Sequence, residues 1–363
     1  MAPEQCACSG PWNRSTELNR SRPRPAGGVL RYVDLTWLDR ENPATRDVDG
    51  VLAVYEAARA LEMSHWPGTT VSAFRAQLRY GWDGDPAEVA ALRDGTGRVI
   101  GALEVSLPRW DNVHLGMVEV TVDPPLRRRG LGRSLFQAGV ERLAADGRDV
   151  LLSDCFEHSV AMGFLEAMGL KQASLDAERR LDLCGLDMER LDREYAAAER
   201  TAEAYELLRM PGRVPEQLLD SVVTMTAAIN DAPTDALEVE DEVFTPERIR
   251  SFETAQLAHD RRLYRLIARD PMSGELVGHT QVAVEAERPW WGWQFDTAVL
   301  PAHRGHRLGL LLKIGMLRWL ASEEPQLRAL DTWNAASNSH MVHVNEVMGY
   351  RVVANGVAWQ RHL

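Results

Sequence analysis

Cysteine is scarce in this chain of 363 residues: Cys6, Cys8, Cys155 and Cys184 are the only four. So few, so scattered, exclude a disulfide-stapled scaffold and fit reduced thiols in the cytoplasm, the expected compartment. Cys6-Ala7-Cys8 lacks partner ligands at zinc-site spacing, so no metal site is expected. No run of about 18 apolar residues occurs, which excludes a membrane-spanning helix, and the N-terminus has no signal-peptide apolar core. Basic residues are in deficit, 41 against 53 acidic, a net charge of −12. That argues against a nucleic-acid partner and weakly favours a cationic small molecule. Two phosphate-binding signatures are also missing: neither the three-glycine G-x-G-x-x-G turn nor a G-K-[ST] loop is present.

What is present is a soluble globular composition, 45% hydrophobic and 26% charged, in a chain long enough for two domains. Two short stretches look like copies of each other. The first runs Val120-Thr121-Val122-Asp123-Pro124-Pro125-Leu126-Arg127-Arg128-Arg129-Gly130-Leu131-Gly132, the second Thr297-Ala298-Val299-Leu300-Pro301-Ala302-His303-Arg304-Gly305-His306-Arg307-Leu308-Gly309. Arg127 and Arg304 lie 304 − 127 = 177 positions apart, so a unit of domain size recurs. Each copy reads as a buried strand stopped by proline, a basic glycine-containing turn, and an amphipathic helix. Glycine lets a ligand approach the backbone, the helix N-terminus offers unpaired N–H groups, and the arginines add charge. Such a turn binds an anion such as a pyrophosphate.

Arg127-Arg128-Arg129-Gly130-Leu131-Gly132 resembles the [Gln/Arg]-x-x-Gly-x-[Gly/Ala] signature of the GNAT superfamily, the acyl-CoA-dependent N-acyltransferases. Arg304-Gly305-His306-Arg307-Leu308-Gly309 resembles it too, with Arg307 where the first glycine is expected. The resemblance implies an α/β (α+β) fold of two tandem GNAT domains, each a mixed, mainly antiparallel twisted sheet flanked by helices. It implies acetyl-CoA as co-substrate, its pyrophosphate on the turn and its pantetheine arm along the preceding strand. The coenzyme contacts so implied are Val120, Val122 and Arg127 to Gly132 in the first copy. In the second they are Thr297, Ala298, Val299, Arg304, Gly305, His306, Arg307, Leu308 and Gly309, together with Asn334 and Asn338.

The order of elements repeats accordingly. Residues 1–28, rich in Pro, Arg, Ser, Asn and Gly, read as a disordered arm. Residues 29–185 read as the first domain, opening on a strand at Tyr32-Val33-Asp34-Leu35; 186–212 as a helical linker; 213–363 as the second domain. In the latter, Pro215 to Ile229 is expected as one helix, and Thr245-Pro246 as the cap and first turn of another.

Amide formation from a thioester needs a base for the amine, a donor for the oxyanion and a proton for the thiolate. Asp296 and Glu119 hold the same position on the two motif strands, and a partly desolvated carboxylate there would suit the base. The family's tyrosine acid is absent: Leu165 and Asn345 hold its positions, and Asn345 is the candidate to hydrogen-bond the thioester sulfur. The second copy has the richer polar lining, so it is the expected centre of chemistry. The acidic run Asp231, Asp235, Glu238, Glu240, Asp241 and Glu242 is expected to rim an acceptor pocket, or simply to be solvated; Trp290, Trp291 and Trp293 are expected to pack at a strand start, or else to wall that pocket. The functional expectation is an N-acetyltransferase acting on a primary amine of a small molecule by direct attack in a ternary complex, as monomer or homodimer. Two alternatives stay open: a non-catalytic coenzyme-A-binding or interaction protein, and an acyltransferase acting on a protein N-terminus.

Overall fold

A computed structural model describes residues 34–363; the arm expected at 1–28, Cys6, Cys8 and the first residues of the opening strand lie outside them. The first half runs β1 (Asp34–Trp37), α1 (Thr45–Glu62), α2 (Val71–Tyr80), β2 (Glu88–Arg93), β3 (Val99–Ser106), β4 (Leu115–Val122), α3 (Leu131–Ala145), β5 (Val150–Phe156), α4 (Val160–Ala167) and β6 (Lys171–Asp182). The second runs α5 (Met188–Thr201), β7 (Glu206–Pro211), α6 (Leu219–Thr226), α7 (Pro246–Ala258), β8 (Arg261–Arg269), β9 (Leu276–Glu285), β10 (Trp291–Val299), α8 (Leu308–Glu323), β11 (Ala329–Ala335), α9 (Ser339–Met348) and β12 (Arg351–His362).

Several of these follow from local chemistry. Thr245 caps α7 by accepting from the Arg248 N–H at 3.1 Å, with Pro246 in the first turn. Gly349 closes α9 in the left-handed conformation, φ +97°, open to a residue without Cβ. The stretch 186–212 divides into the helix α5 and the strand β7, which pairs with β8. The region 215–229 is broken: α6 covers only its middle, between two short 3-10 turns. No described helix is long and apolar enough to cross a membrane.

The described strands form one twelve-stranded sheet in the order β1-β2-β3-β4-β5-β12-β6-β11-β10-β9-β8-β7. Only β4–β5 and β10–β11 pair parallel. The last strand of each half has crossed over: β12 lies between β5 and β6, and β6 lies between β12 and β11. Burial explains the exchange. Val357 and Trp359 of β12 sit in the first half's core with Phe136 and Leu165, whereas Leu181 of β6 sits in the second half's core with Leu330 and Tyr350. Each such side chain, fully buried, contributes about 1.5–3 kcal/mol by removal from water. The acidic run 231–242 is a strap. Its Leu237 and Val239 pack on Leu115, Val150 and Leu152, and the Glu240 N–H donates to Asn112 Oδ1 at 2.7 Å. Glu242 pairs with Arg248, which also holds Asp83 and Asp111. The expected rim of an acceptor pocket is therefore a brace across the two halves.

Candidate active site

The site begins where two strands part. β4 and β5 pair for three residues, Leu115 to Met117 against Val150 to Leu152, and then diverge. Along the opened edge of β4 the Val118 carbonyl accepts from Ser153 Oγ at 2.8 Å, and the Val122 carbonyl from Arg127 Nε at 3.1 Å. Val120, between them, lines a cavity of about 1000 Å³. That cavity reaches the turn, where Arg128 (φ +65°) and Gly130 (φ +87°) are both left-handed. A Cβ on Gly130 would meet nothing within 4 Å, so the space over it is open to a ligand. Helix α3 begins there without a side-chain cap, leaving its first N–H groups for an anion. Arg128, Arg129 and Arg133 are exposed and have no ion-pair partner among the described residues, while Arg127 is paired with Glu62. The group implied by the motif fits this place: open amides, free guanidinium groups and an uncrowded glycine suit a pyrophosphate.

The second turn has the same backbone and different charge. Its left-handed residues are Gly305 (φ +85°) and Arg307 (φ +56°), at the positions of Arg128 and Gly130 with glycine and arginine interchanged. Here the basic groups are spoken for. Arg304 pairs with Asp231, Arg307 with Glu194 at 2.7 Å, and His303 lies 3.0 Å from the Tyr205 hydroxyl and 3.4 Å from Glu275. The His306 ring packs edge-on against Tyr205.

Deeper in the first cavity stand Glu104, Glu119 and Asp154, on the adjacent strands β3, β4 and β5. Glu104 and Glu119 are directly opposed in the antiparallel register, an arrangement of like charges that costs stability. Glu104 is half-buried, and Glu119 and Asp154 are exposed where they line the cavity. Desolvation raises the Glu119 carboxyl well above the ordinary range, and the charges of Asp154 and Glu104 raise it further. Desolvation also raises Glu104 and Asp154. Neither Glu119 nor Asp154 has a hydrogen-bond or ion-pair partner among the described residues; Glu104 has the Tyr55 hydroxyl at 3.5 Å. Side chains of the second half complete the wall: His259, Arg261, Glu285, Arg288, Trp291 and Trp293.

The counterparts in the second half are furnished differently. Gln281 stands where Glu104 does, and Asp296 sits in a bulge of β10 between Gln294 and Thr297. Desolvation raises Asp296, while the Arg265 guanidinium beside it opposes the rise. Thr297 is tied to Thr280 at 2.7 Å. Lys313 replaces the cavity-wall Phe136 and donates to Asn345 Oδ1 at 2.7 Å, and Asn345 donates to Asn334 Oδ1 at 3.1 Å. Asn334 also accepts from Arg179 at 3.0 Å, and Asn338 caps α9 through the Met341 N–H. Asn345 is 1% exposed, with both ends of its amide engaged. Of the coenzyme contacts that the resemblance implies here, Asn334 is tied to Asn345 and Arg179, and Asn338 is engaged in capping α9. Trp291 is buried and donates to Asp331 at 2.7 Å; Trp293 packs on Trp66 and lines the first cavity, and Trp290 is exposed.

Lys313 carries a prediction. Burial lowers its pKa to about 7, while the unfolded chain holds that proton to about 10.5. Between those values the unfolded state binds more protons, so this group makes stability rise with pH. The stability of the parent relative to Lys313→Met should climb by up to about 1.4 kcal/mol per pH unit from pH 7 to 9.5 in denaturant titrations. Parallel curves for the two proteins would disprove it.

The fold and both turns match known proteins. A family model described as acetyltransferase (GNAT) family matches residues 52–170 and 227–350. The chain belongs to the GNAT acetyltransferase family. Among solved structures it is similar to a tandem GNAT protein from the clavulanic acid biosynthesis pathway, solved without AcCoA. That match has 25% identity and a TM-score of 0.74, covering 91% of this chain and 98% of the other. It is similar in fold to a GCN5-related N-acetyltransferase from Sphaerobacter thermophilus, with 17% identity, a TM-score of 0.62, and 90% and 95% covered. No curated protein matches the sequence. The protein thus has the tandem GNAT architecture and the acyltransferase fold, in a family that uses acyl-CoA co-substrates.

Proposed function

We propose that this protein transfers an acetyl group from acetyl-CoA to a primary amine of a small molecule, by direct attack in a ternary complex, in the cavity of the first half. The observation that carries the reading is the continuity of that cavity from the open N-terminus of α3 to the carboxylate of Glu119. The amides at Gly130 to Gly132 and the free Arg128 and Arg133 hold the pyrophosphate, and the parted edge of β4 holds the pantetheine arm. The coenzyme supplies an activated thioester carbonyl. Glu119 takes the proton of the attacking amine, directly or through one water, and desolvation with the neighbouring carboxylates raises its pKa, the direction a general base requires. An N–H on the free edge of β4 stabilises the oxyanion. The second half, with its guanidinium and imidazole groups engaged and Arg265 beside Asp296, supports the cavity instead of repeating it.

Replacing Arg128 and Arg133 together by Ala should weaken acetyl-CoA binding at least about tenfold in calorimetric titration of the whole chain, since each charge-assisted hydrogen bond contributes about 1.5–3 kcal/mol. Unchanged affinity would move the coenzyme to the second turn. Leu165, in place of the family's tyrosine, favours a second reading: a protein that binds the coenzyme without turnover. Coenzyme binding with no thiol release across a broad amine panel would establish that reading.

A further inference from the structure

Arg127 and Arg304 make the same pair of contacts in the two halves. The Nε of each donates to the carbonyl of the last residue of its motif strand, Arg127 to Val122 at 3.1 Å and Arg304 to Val299 at 2.9 Å. One terminal nitrogen of each guanidinium meets a carboxylate that closes a helical segment. For Arg127 it is Glu62, the last residue of α1; for Arg304 it is Asp231, the last residue of the short 3-10 turn after α6. The rest of the two turns differs, in the places of glycine and arginine and in which charges are paired. One ion pair near a surface says little by itself. The same arrangement of strand carbonyl, arginine and helix-end acid, made twice with different acids, points to a role.

That role is not to hold phosphate. Two of the three nitrogens of Arg127 are engaged and its charge is offset by Glu62, whereas Arg128, Arg129 and Arg133 are exposed and have no ion-pair partner among the described residues. On one side of the tie is the turn. On the other, the chain leaves Glu62 directly into residues 63–69, of which Met63, Trp66, Pro67, Gly68 and Thr69 line the same cavity. This segment has no regular secondary structure, so its order depends on single contacts. Arg59 Nη1 donates to the Trp66 carbonyl at 2.6 Å, Trp66 Nε1 donates to Glu178 at 2.6 Å, and Arg288 of the second half donates to the Gly68 carbonyl. The Trp66 ring stands edge to face with Phe156 and Trp293, at 5.9 and 5.8 Å between centroids.

We infer that Arg127 is a positioning residue that couples the two parts of the cavity. The coenzyme, by fixing the turn, holds Arg127 on Glu62, and Glu62 orders the segment that walls the cavity beside Phe156 and Trp293. This rests on reading the first turn as the coenzyme's seat. A partly exposed ion pair sets the coupling at about three- to fivefold.

Hydrogen exchange of the whole protein, read by mass spectrometry with and without saturating acetyl-CoA, tests it on peptides covering 60–70 and 127–135. In the parent both should slow, the first by at least about threefold. In Glu62→Gln the turn peptide should slow as in the parent, while 63–69 no longer responds; Arg127→Met should give the same pattern and serves if the first variant does not fold. The readout is the response to coenzyme, because a merely structural tie would speed exchange equally with and without it. Acetyl-CoA affinity, by calorimetry, should fall less than threefold in either variant. Protection confined to the turn in the parent, or protection of 63–69 that survives in a folded variant, overturns the inference and leaves the coenzyme's seat intact. So does a tenfold loss of affinity in Arg127→Met, which would make that arginine a ligand. A turn peptide that does not slow in the parent removes the seat itself, and the coupling with it.

Discussion

Replacing Glu119 by Gln is expected to lower kcat by about 10²- to 10⁴-fold, the usual contribution of a positioned general base, with acetyl-CoA affinity unaltered. Of the three carboxylates in the cavity, Glu119 is the middle one. It stands on the strand that would carry the pantetheine arm, with Glu104 opposed across the register and Asp154 on the other side. Desolvation in the cavity pushes its pKa up, and the charges of Asp154 and Glu104 push it further. The base works deprotonated, so the rate should rise with pH through a midpoint well above the ordinary glutamate range, and that limb should vanish in the Gln variant. Glutamine keeps shape and hydrogen bonding and removes only the ability to take a proton, so binding and chemistry separate cleanly. The comparison variant is Asp296→Asn. If it abolishes turnover while Glu119→Gln runs at the parent rate, the chemistry belongs to the second half and the proposed assignment is wrong.

Much of this site was legible in the residues. The pairing of Arg127-Arg128-Arg129-Gly130-Leu131-Gly132 with a preceding β-branched run and a following amphipathic pattern gave strand, turn and helix, because those choices are local. The equivalence of Glu119 and Asp296 followed from the repeat. The preference for the second half rested on its polar residues, Asn334, Asn338 and Asn345. Polarity along a chain does not say what faces what. A lysine at position 313, inside an apolar helix, engages Asn345, which in turn holds Asn334; the repeat aligns that lysine with Phe136 but does not say which side chains it meets. The free charge in the first turn was equally hidden: whether an arginine is available depends on Asp231 and Glu194, distant in sequence from Arg304 and Arg307. The cluster of Glu104 with Asp154 needed the strand order. The exchange of β6 and β12 is the least local feature of all, since it depends on packing between segments at opposite ends of the two halves.

That exchange has a large expected consequence. A chain ending at Tyr350, which lacks β12, should lose acetyl-CoA binding in the first half although every residue of that half is retained. β12 forms two ladders, with β5 from Val150 to Phe156 and with β6 from Lys171 to Arg180, and both would be unmade. β5 would then present an unpaired edge beside the cavity, with Asp154 and Phe156 on it, and β6 would be held only by β11. The core of the first half would lose Val357 and Trp359, whose neighbours Phe136 and Leu165 lie on the helices flanking the coenzyme cleft. Truncating a buried tryptophan alone costs about 3–5 kcal/mol, comparable to much of a domain's net stability. Circular dichroism and coenzyme titration of the shortened chain decide the matter. Native strand content and parent affinity would mean that the first half stands by itself, and that the crossing of the two strands is a feature of topology without energetic weight. Loss of both, restored by adding residues 351–363 as a separate peptide, would show that the second half's last strand builds the first half's site.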